Sequence, residues 1–229
     1  FVEAMLETRG ISIAGKTAVV SGSGNVAIYA CEKFAQLGGK VVTMSDSDGY
    51  IYDKNGINVA AVKEIKEVNR GRISDYLNYE PSAEYHEGNG IWSIPCDVAL
   101  PCATQNEINE EDANMLCQNK CFAVAEGANM PSTLEATEVF HKNNVLFAPG
   151  KASNAGGVAT SALEMSQNSG RVYWTFENVD GKLRNIMRNI QSCTYEIAKD
   201  FGKEDNYVFG ANAAGFLKVA DAMMAQGIV

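Results

Sequence analysis

The stretch Thr17-Ala18-Val19-Val20-Ser21-Gly22-Ser23-Gly24-Asn25-Val26-Ala27 decides how the rest of this chain is read. An apolar, β-type run passes directly into a glycine turn, and the turn into a helical pattern. A second β-type run, Lys40-Val41-Val42-Thr43-Met44-Ser45, follows and ends at Asp46. Strand, glycine turn, helix, strand and acid, in that order, make a dinucleotide-binding unit. Gly22 makes the tight turn, Gly24 lets backbone approach a pyrophosphate, and Ala27 replaces a third glycine so that helix packs on strand. The helix amino end offers free N–H groups and partial positive charge to phosphates. Asp46 comes at about the 20-residue spacing expected of a ribose-binding acid. Between them the helix sets Val26, Tyr29, Ala30, Phe34 and Leu37 at three- and four-residue steps, and Gly38-Gly39 ends it.

The same alternation continues. Phe1 to Thr8 reads as the end of a helix. Tyr50-Ile51-Tyr52 before Asp53-Lys54-Asn55-Gly56 reads as a hairpin-like excursion. Asn58 to Arg70 reads as an amphipathic helix with Val59, Val62, Ile65 and Val68 inward, and Pro81 to Gly90 shows no period. Short buried strands are expected at Asp97–Pro101, Phe122–Glu126 and Val145–Pro149, with helices from Asn109 and from Thr133 to His141. Strand, loop and helix repeating in this way predict an α/β fold: a doubly wound, mostly parallel Rossmann-like sheet with helices on both faces. Three further helices, 154–169, 175–201 and 213–226, are expected at the carboxyl end. No second linker-separated domain is visible, so residues 1–229 are read as one dinucleotide-binding domain.

Composition narrows the partners. The 229 residues carry a net charge of −9 and no Lys/Arg run, which argues against nucleic-acid or membrane-surface binding. No apolar segment approaches the roughly 18 residues of a membrane span, and no signal peptide is visible. Six cysteines without a CxxC pair and two distant histidines, His86 and His141, argue against a metal site and suggest free thiols in a reducing cytoplasm.

In an open parallel sheet, ligands bind beyond the carboxyl ends of the strands. Three loops there are rich in hydrogen-bonding groups: 102–106, 126–129 and 150–157. By contrast, His86 and His141 are expected to be solvated or capping, and Asp97 structural. The sequence offers a cofactor cradle without catalytic residues.

Four motifs, Val20-Ser21-Gly22-Ser23-Gly24-Asn25-Val26-Ala27, Ala99-Leu100-Pro101-Cys102-Ala103-Thr104-Gln105-Asn106, Ala125-Glu126-Gly127-Ala128-Asn129-Met130-Pro131 and 147–158, resemble the hexameric glutamate dehydrogenases of bacteria and lower eukaryotes. The closing segment 210–223 resembles their carboxyl end. The resemblance implies a cofactor domain whose parent carries the catalytic lysine and aspartate in a separate amino-terminal substrate domain that nothing here matches. It implies a homo-hexameric parent acting on glutamate, or on 2-oxoglutarate and ammonia, and a monomer or weak dimer for this piece, inactive alone. Hydride passes between nicotinamide C4 and the glutamate α-carbon, through an iminoglutarate intermediate.

Residue by residue, the resemblance gives Ser23, Gly24, Asn25 and Val26 the pyrophosphate and adjoining ribose. It gives Ala103, Thr104 and Gln105 the adenosine side, Asn129 the nicotinamide ribose and Asn154 the carboxamide. Val158 and Ser161 are to touch the distal carboxylate end of glutamate. The cofactor expected is NADP, with NAD as the alternative. Asp46 alone favours NAD, because an acid there bonds a 2′-hydroxyl and repels a 2′-phosphate. Ser45, Asp46 and Ser47 together resemble NADP-using members, with Lys66, Arg70 or Arg72 available to neutralise the phosphate. The competing readings are a non-catalytic nucleotide-binding module and a leucine- or phenylalanine-type amino-acid dehydrogenase; Ser161 argues for an acidic substrate.

Overall fold

A computed structural model describes residues 1–227. The short helix α1 (Val2–Glu7) leads to β1 (Thr17–Val20), α2 (Asn25–Gln36), β2 (Lys40–Ser45), β3 (Gly49–Tyr52) and α3 (Val59–Lys63). Then come β4 (Glu84–Glu87), β5 (Val98–Leu100), α4 (Glu110–Gln118), β6 (Ala123–Ala125), α5 (Leu134–Lys142) and β7 (Leu146–Ala148). The helices α6 (Gly150–Ser153), α7 (Ala155–Gly170), α8 (Phe176–Asp200) and α9 (Tyr207–Gln226) complete the order.

The strands form one sheet in the order β4-β3-β2-β1-β5-β6-β7. The five from β2 to β7 run parallel, in registers such as Val20 with Leu100 and Val124 with Phe147. β3 and β4 add antiparallel strands at one edge. The expected hairpin is therefore β2–β3, and the unpatterned 81–90 segment contains an edge strand. Alternation along β1 divides the core: Ala18 and Val20 pack with Met5, Leu6, Ile28 and Phe34, while Val19 packs with Trp92, Leu116, Phe140 and Phe147. Full burial of a side chain such as Ile28 or Phe140 contributes about 1.5–3 kcal/mol relative to exposure.

Two helices differ from the sequence reading. On α2 the buried face is Ala27, Ile28, Cys31 and Phe34, whereas Val26 and Tyr29 point outward. The buried stripe runs through positions 27, 28, 31 and 34, offset from the expected 26, 29, 30, 34 and 37. After α3 the backbone widens into a π-helical turn over Glu64–Val68. The extra residue per turn breaks the 3.6 period, so Val62 and Ile65 are buried but Val68 is exposed. The carboxyl-terminal helices occur as expected, with α9 beginning at Tyr207, six residues before the sequence boundary of 213. α8 packs back on α1 through Arg188, which donates to Glu3 and Glu7. α7 buries no residue fully.

Candidate functional site

The chain leaves β1 toward β2 on one side and later enters β5 on the other. The switch point of the sheet, where ligands of such folds bind, is therefore the region beyond the carboxyl ends of β1 and β5. Gly22 sits in it with φ +82°; an added Cβ would lie 3.0 Å from the Cys102 carbonyl oxygen and 3.1 Å from Ala103 Cα. Glycine alone meets both demands. The Gly22 N–H donates to Ser45 Oγ (2.7 Å) and the Ser45 N–H to the Gly22 carbonyl (3.0 Å), so the turn is fastened to the end of β2. The Cys102 N–H donates to Ser21 Oγ (2.9 Å), fastening it to β5 as well.

Ser23 is buried, while Gly24, Asn25 and Val26 are exposed at the start of α2. The N-cap is Gly24, which has no side chain to take the helix's first N–H groups, and the first turn holds no acid. Its neighbours are closed: Asn58 caps α3, Asn109 caps α4 and Thr133 caps α5. The donor set left open on α2 suits an anion such as a pyrophosphate.

Ala103, Thr104 and Gln105 are exposed in the loop after β5. The Ala103 and Thr104 N–H groups donate to Glu107 Oε1 (3.0 and 3.2 Å), so this loop offers a ligand its side chains and carbonyls rather than those amides. Burial raises the Glu107 pKa, opposed by the nearby Ser21 hydroxyl and the two N–H groups. The loop after β6 joins the first two. Gly127 and Ala128 both donate to the Pro101 carbonyl, and a Cβ on Gly127 would collide with Cys102 Sγ and crowd Val26. Asn129 is exposed there. The third loop of the sequence reading is largely helical, as α6 and the start of α7. Asn154 Nδ2 donates to the Ala128 carbonyl (3.1 Å). Val158 and Ser161 follow Asn154 by four and seven positions on exposed turns of α7, and so share its face.

At the end of β2, Asp46 turns inward. Its Oδ2 accepts from the Ile73 N–H (2.9 Å), its Oδ1 from the Asp48 N–H (3.0 Å), and Lys66 Nζ lies 3.4 Å away. Burial alone would raise the Asp46 carboxyl pKa; the two N–H donors and Lys66 outweigh it and hold it below its ordinary value. Lys66, on the π-helical turn, also donates to the Gly71 carbonyl (2.9 Å). Both charges thus face each other rather than solvent. Outside them Arg72 donates to Ser47 Oγ (2.9 Å) and pairs with Asp48, more than half exposed. Arg70 is exposed, in a left-handed conformation.

The histidines lie outside this constellation. His86 stacks on Tyr50 and pairs with Glu84 on the edge strand. His141 is half-buried against Phe147 rather than solvated, burial lowers its pKa, and its Nε2 has no partner. All six cysteines are free. Among the described residues there is no cluster of three or more His, Cys, Asp or Glu placed for a metal, and no helix long and apolar enough to cross a membrane. A cavity of about 340 Å³ borders Cys102, Glu126 and Gly127, between α1, α2 and α8, and residues 22–26 do not line it. Glu107, Ser21 and the carboxylate of Glu126 order the loops without having been singled out in the sequence. For Ser21 and Glu126 the one available signal was their place at strand ends, and Glu107 carried none.

A family model described as Glutamate/Leucine/Phenylalanine/Valine dehydrogenase matches residues 1–227. All of the chain aligns at 55% identity with a protein of Haemophilus influenzae named NADP-specific glutamate dehydrogenase, covering 51% of it. Another, from Xylanibacter ruminicola, is named NAD(P)-specific glutamate dehydrogenase; it is 55% identical, and 52% of it is covered. Among solved structures, a glutamate dehydrogenase of Plasmodium falciparum superposes with a TM-score of 0.96 at 47% identity, over 100% of this chain and 50% of that one. The chain spans about half the length of the curated relatives it matches.

Proposed function

The chain belongs to the Glutamate/Leucine/Phenylalanine/Valine dehydrogenase family, and from that premise we propose that it is the cofactor-binding domain of an NADP-dependent glutamate dehydrogenase. The observation that carries this reading is the open amino end of α2 beside Gly22, at the switch point of the sheet, where α3, α4 and α5 are each closed by a side-chain cap. The names of the relatives, most of them NADP-specific, support the cofactor and the substrate.

NADP supplies the hydride acceptor when bound. Ser23, Gly24, Asn25 and Val26 receive its pyrophosphate, and Ala103, Thr104 and Gln105 its adenosine side. Asn129 holds the nicotinamide ribose, and Asn154 orients the carboxamide. Arg72, with Ser45 and Ser47, receives the 2′-phosphate, because Asp46 is already held by Ile73, Asp48 and Lys66 and presents little free charge to repel it. Val158 and Ser161 line the substrate side. The parent polypeptide supplies the catalytic lysine and aspartate from another domain and assembles as a homo-hexamer. Its substrates are glutamate, or 2-oxoglutarate and ammonia.

Calorimetric titration with NADP and NAD in parallel tests the reading. Saturable NADP binding, tighter than NAD, is expected; heat from neither ligand overturns it.

A further inference from the structure

Glu126 directly follows β6 and is 6% exposed, with no cation in salt-bridge contact among the described residues. Its carboxylate faces two segments at once. Oε2 accepts from the Gly150 N–H at 2.6 Å, and Oε1 from the Ser132 N–H at 3.1 Å. Its own carbonyl accepts from Ser153 Oγ. Gly150 is closely enclosed: a Cβ would lie 3.1 Å from the Ala128 carbonyl, 3.2 Å from Asn154 Nδ2 and 3.3 Å from Glu126 Oε2, so these groups would have to shift to admit it. One node therefore joins the 126–132 loop, which carries Asn129, to the 150–154 segment, which carries Asn154.

The chemistry of the node demands a carboxylate. Two N–H donors approach its two oxygens, and an amide offers only one acceptor. Burial raises the Glu126 pKa, opposed first by the Gly150 N–H. The Ser132 hydroxyl, buried without a well-formed hydrogen bond of its own, lies near enough to favour the charged form. Keeping an acid here is costly unless both amides are held.

We propose that Glu126 is a positioning residue for the nicotinamide half of the cofactor, fixing Asn129 and Asn154 relative to one another by accepting from Gly150 and Ser132 together. The inference rests on the cofactor reading above. It places the effect of Glu126 on one half of the ligand, since the phosphate turn and the end of β2 have their own fastenings through Ser45 and Asp46.

The test compares NADP with adenosine 2′,5′-bisphosphate, which has the 2′-phosphoadenosine half but no nicotinamide. Glu126→Gln is expected to raise the Kd for NADP about tenfold, the loss of one hydrogen bond to a charged group, with the Kd for the bisphosphate within about twofold of wild type. Gly150→Ala attacks the same node from the other side and should give the same split; it carries the test where the first variant does not fold. Equal weakening of both ligands, or of neither, in a folded variant overturns the inference while leaving the cofactor reading intact. Wild-type protein that binds neither ligand overturns both.

Discussion

The amino ends of α2 and α4 lie beyond neighbouring strands, β1 and β5, and are finished in opposite ways. At α4, Asn109 Oδ1 accepts from the N–H groups of Glu111 and Asp112, Asp112 reaches back to the Asn109 N–H, and the first turn carries three acids. That end is complete: its donors are satisfied and its dipole is balanced. At α2 a glycine caps nothing and no acid follows. The terminus of α4 is closed by its own sequence. One left open, at the switch point of a parallel sheet, keeps its donors for something from outside.

The strongest way to break this comparison is to give α2 what α4 has. Gly24 has ordinary extended backbone, and an added Cβ meets nothing within 4 Å, so Gly24→Asp folds without strain. It should cap the helix, leave Tm unchanged or higher, and raise the Kd for NADP by about 100-fold by placing an anion on the donors. Undiminished NADP binding in calorimetry would show that the open end is not the phosphate site. Gly22→Ala probes the turn. Here φ is +82° and the Cys102 carbonyl is 3.0 Å from the new Cβ, so unfolding in urea should show a loss of about 2 kcal/mol. A midpoint equal to wild type would mean that the turn relaxes freely.

The converse experiment removes the cap that α4 does have. Asn109→Ala leaves two N–H groups unmet and should cost about 1 kcal/mol in stability. NADP affinity should stay within about twofold, because this terminus serves the fold. A large affinity loss without a stability loss would reverse the roles assigned to the two helices.

The two helix ends also show what the sequence makes legible. The cap of α4 is readable as Asn109 before three acids, and the opening of α2 as Gly22-Ser23-Gly24, because both are local, covering a handful of adjacent residues. β2, the parallel strands and α8 are legible for the same reason. What escaped is set by distance or by backbone register. β4 pairs only with β3, from more than thirty positions earlier, and its own residues carry no alternation. The π-helical turn hides the exposure of Val68. The inward-facing partners of Asp46 and the two contacts of Glu126 come from Ile73, Gly150 and Ser132, and no spacing rule links those positions. Candidate ligand-facing residues were therefore easier to nominate than the residues that fasten the loops in place.

Asp46 gives the finest test, since it puts a negative charge close to the same open end that Gly24→Asp would occupy. The difference is where the charge is held: the Ile73 and Asp48 N–H groups and Lys66 face it from within. Asp46→Asn should therefore leave NADP affinity within about threefold, against the hundredfold effect of an aspartate at position 24. Its signature lies in stability instead. The folded pKa of Asp46 lies below the unfolded value of about 3.9, so its contribution is present above that pH and is lost as pH falls through the folded pKa. Wild type should exceed Asp46→Asn by about 1 kcal/mol at pH 7, with the gap closing as pH falls through the folded pKa. A gap that persists in acid would mean that the carboxylate's charge does not hold the 71–73 turn. An NADP affinity that rises sharply in the variant would mean that this charge faces the ligand after all, and would return the site to the NAD-type pattern in which the acid reads the ribose.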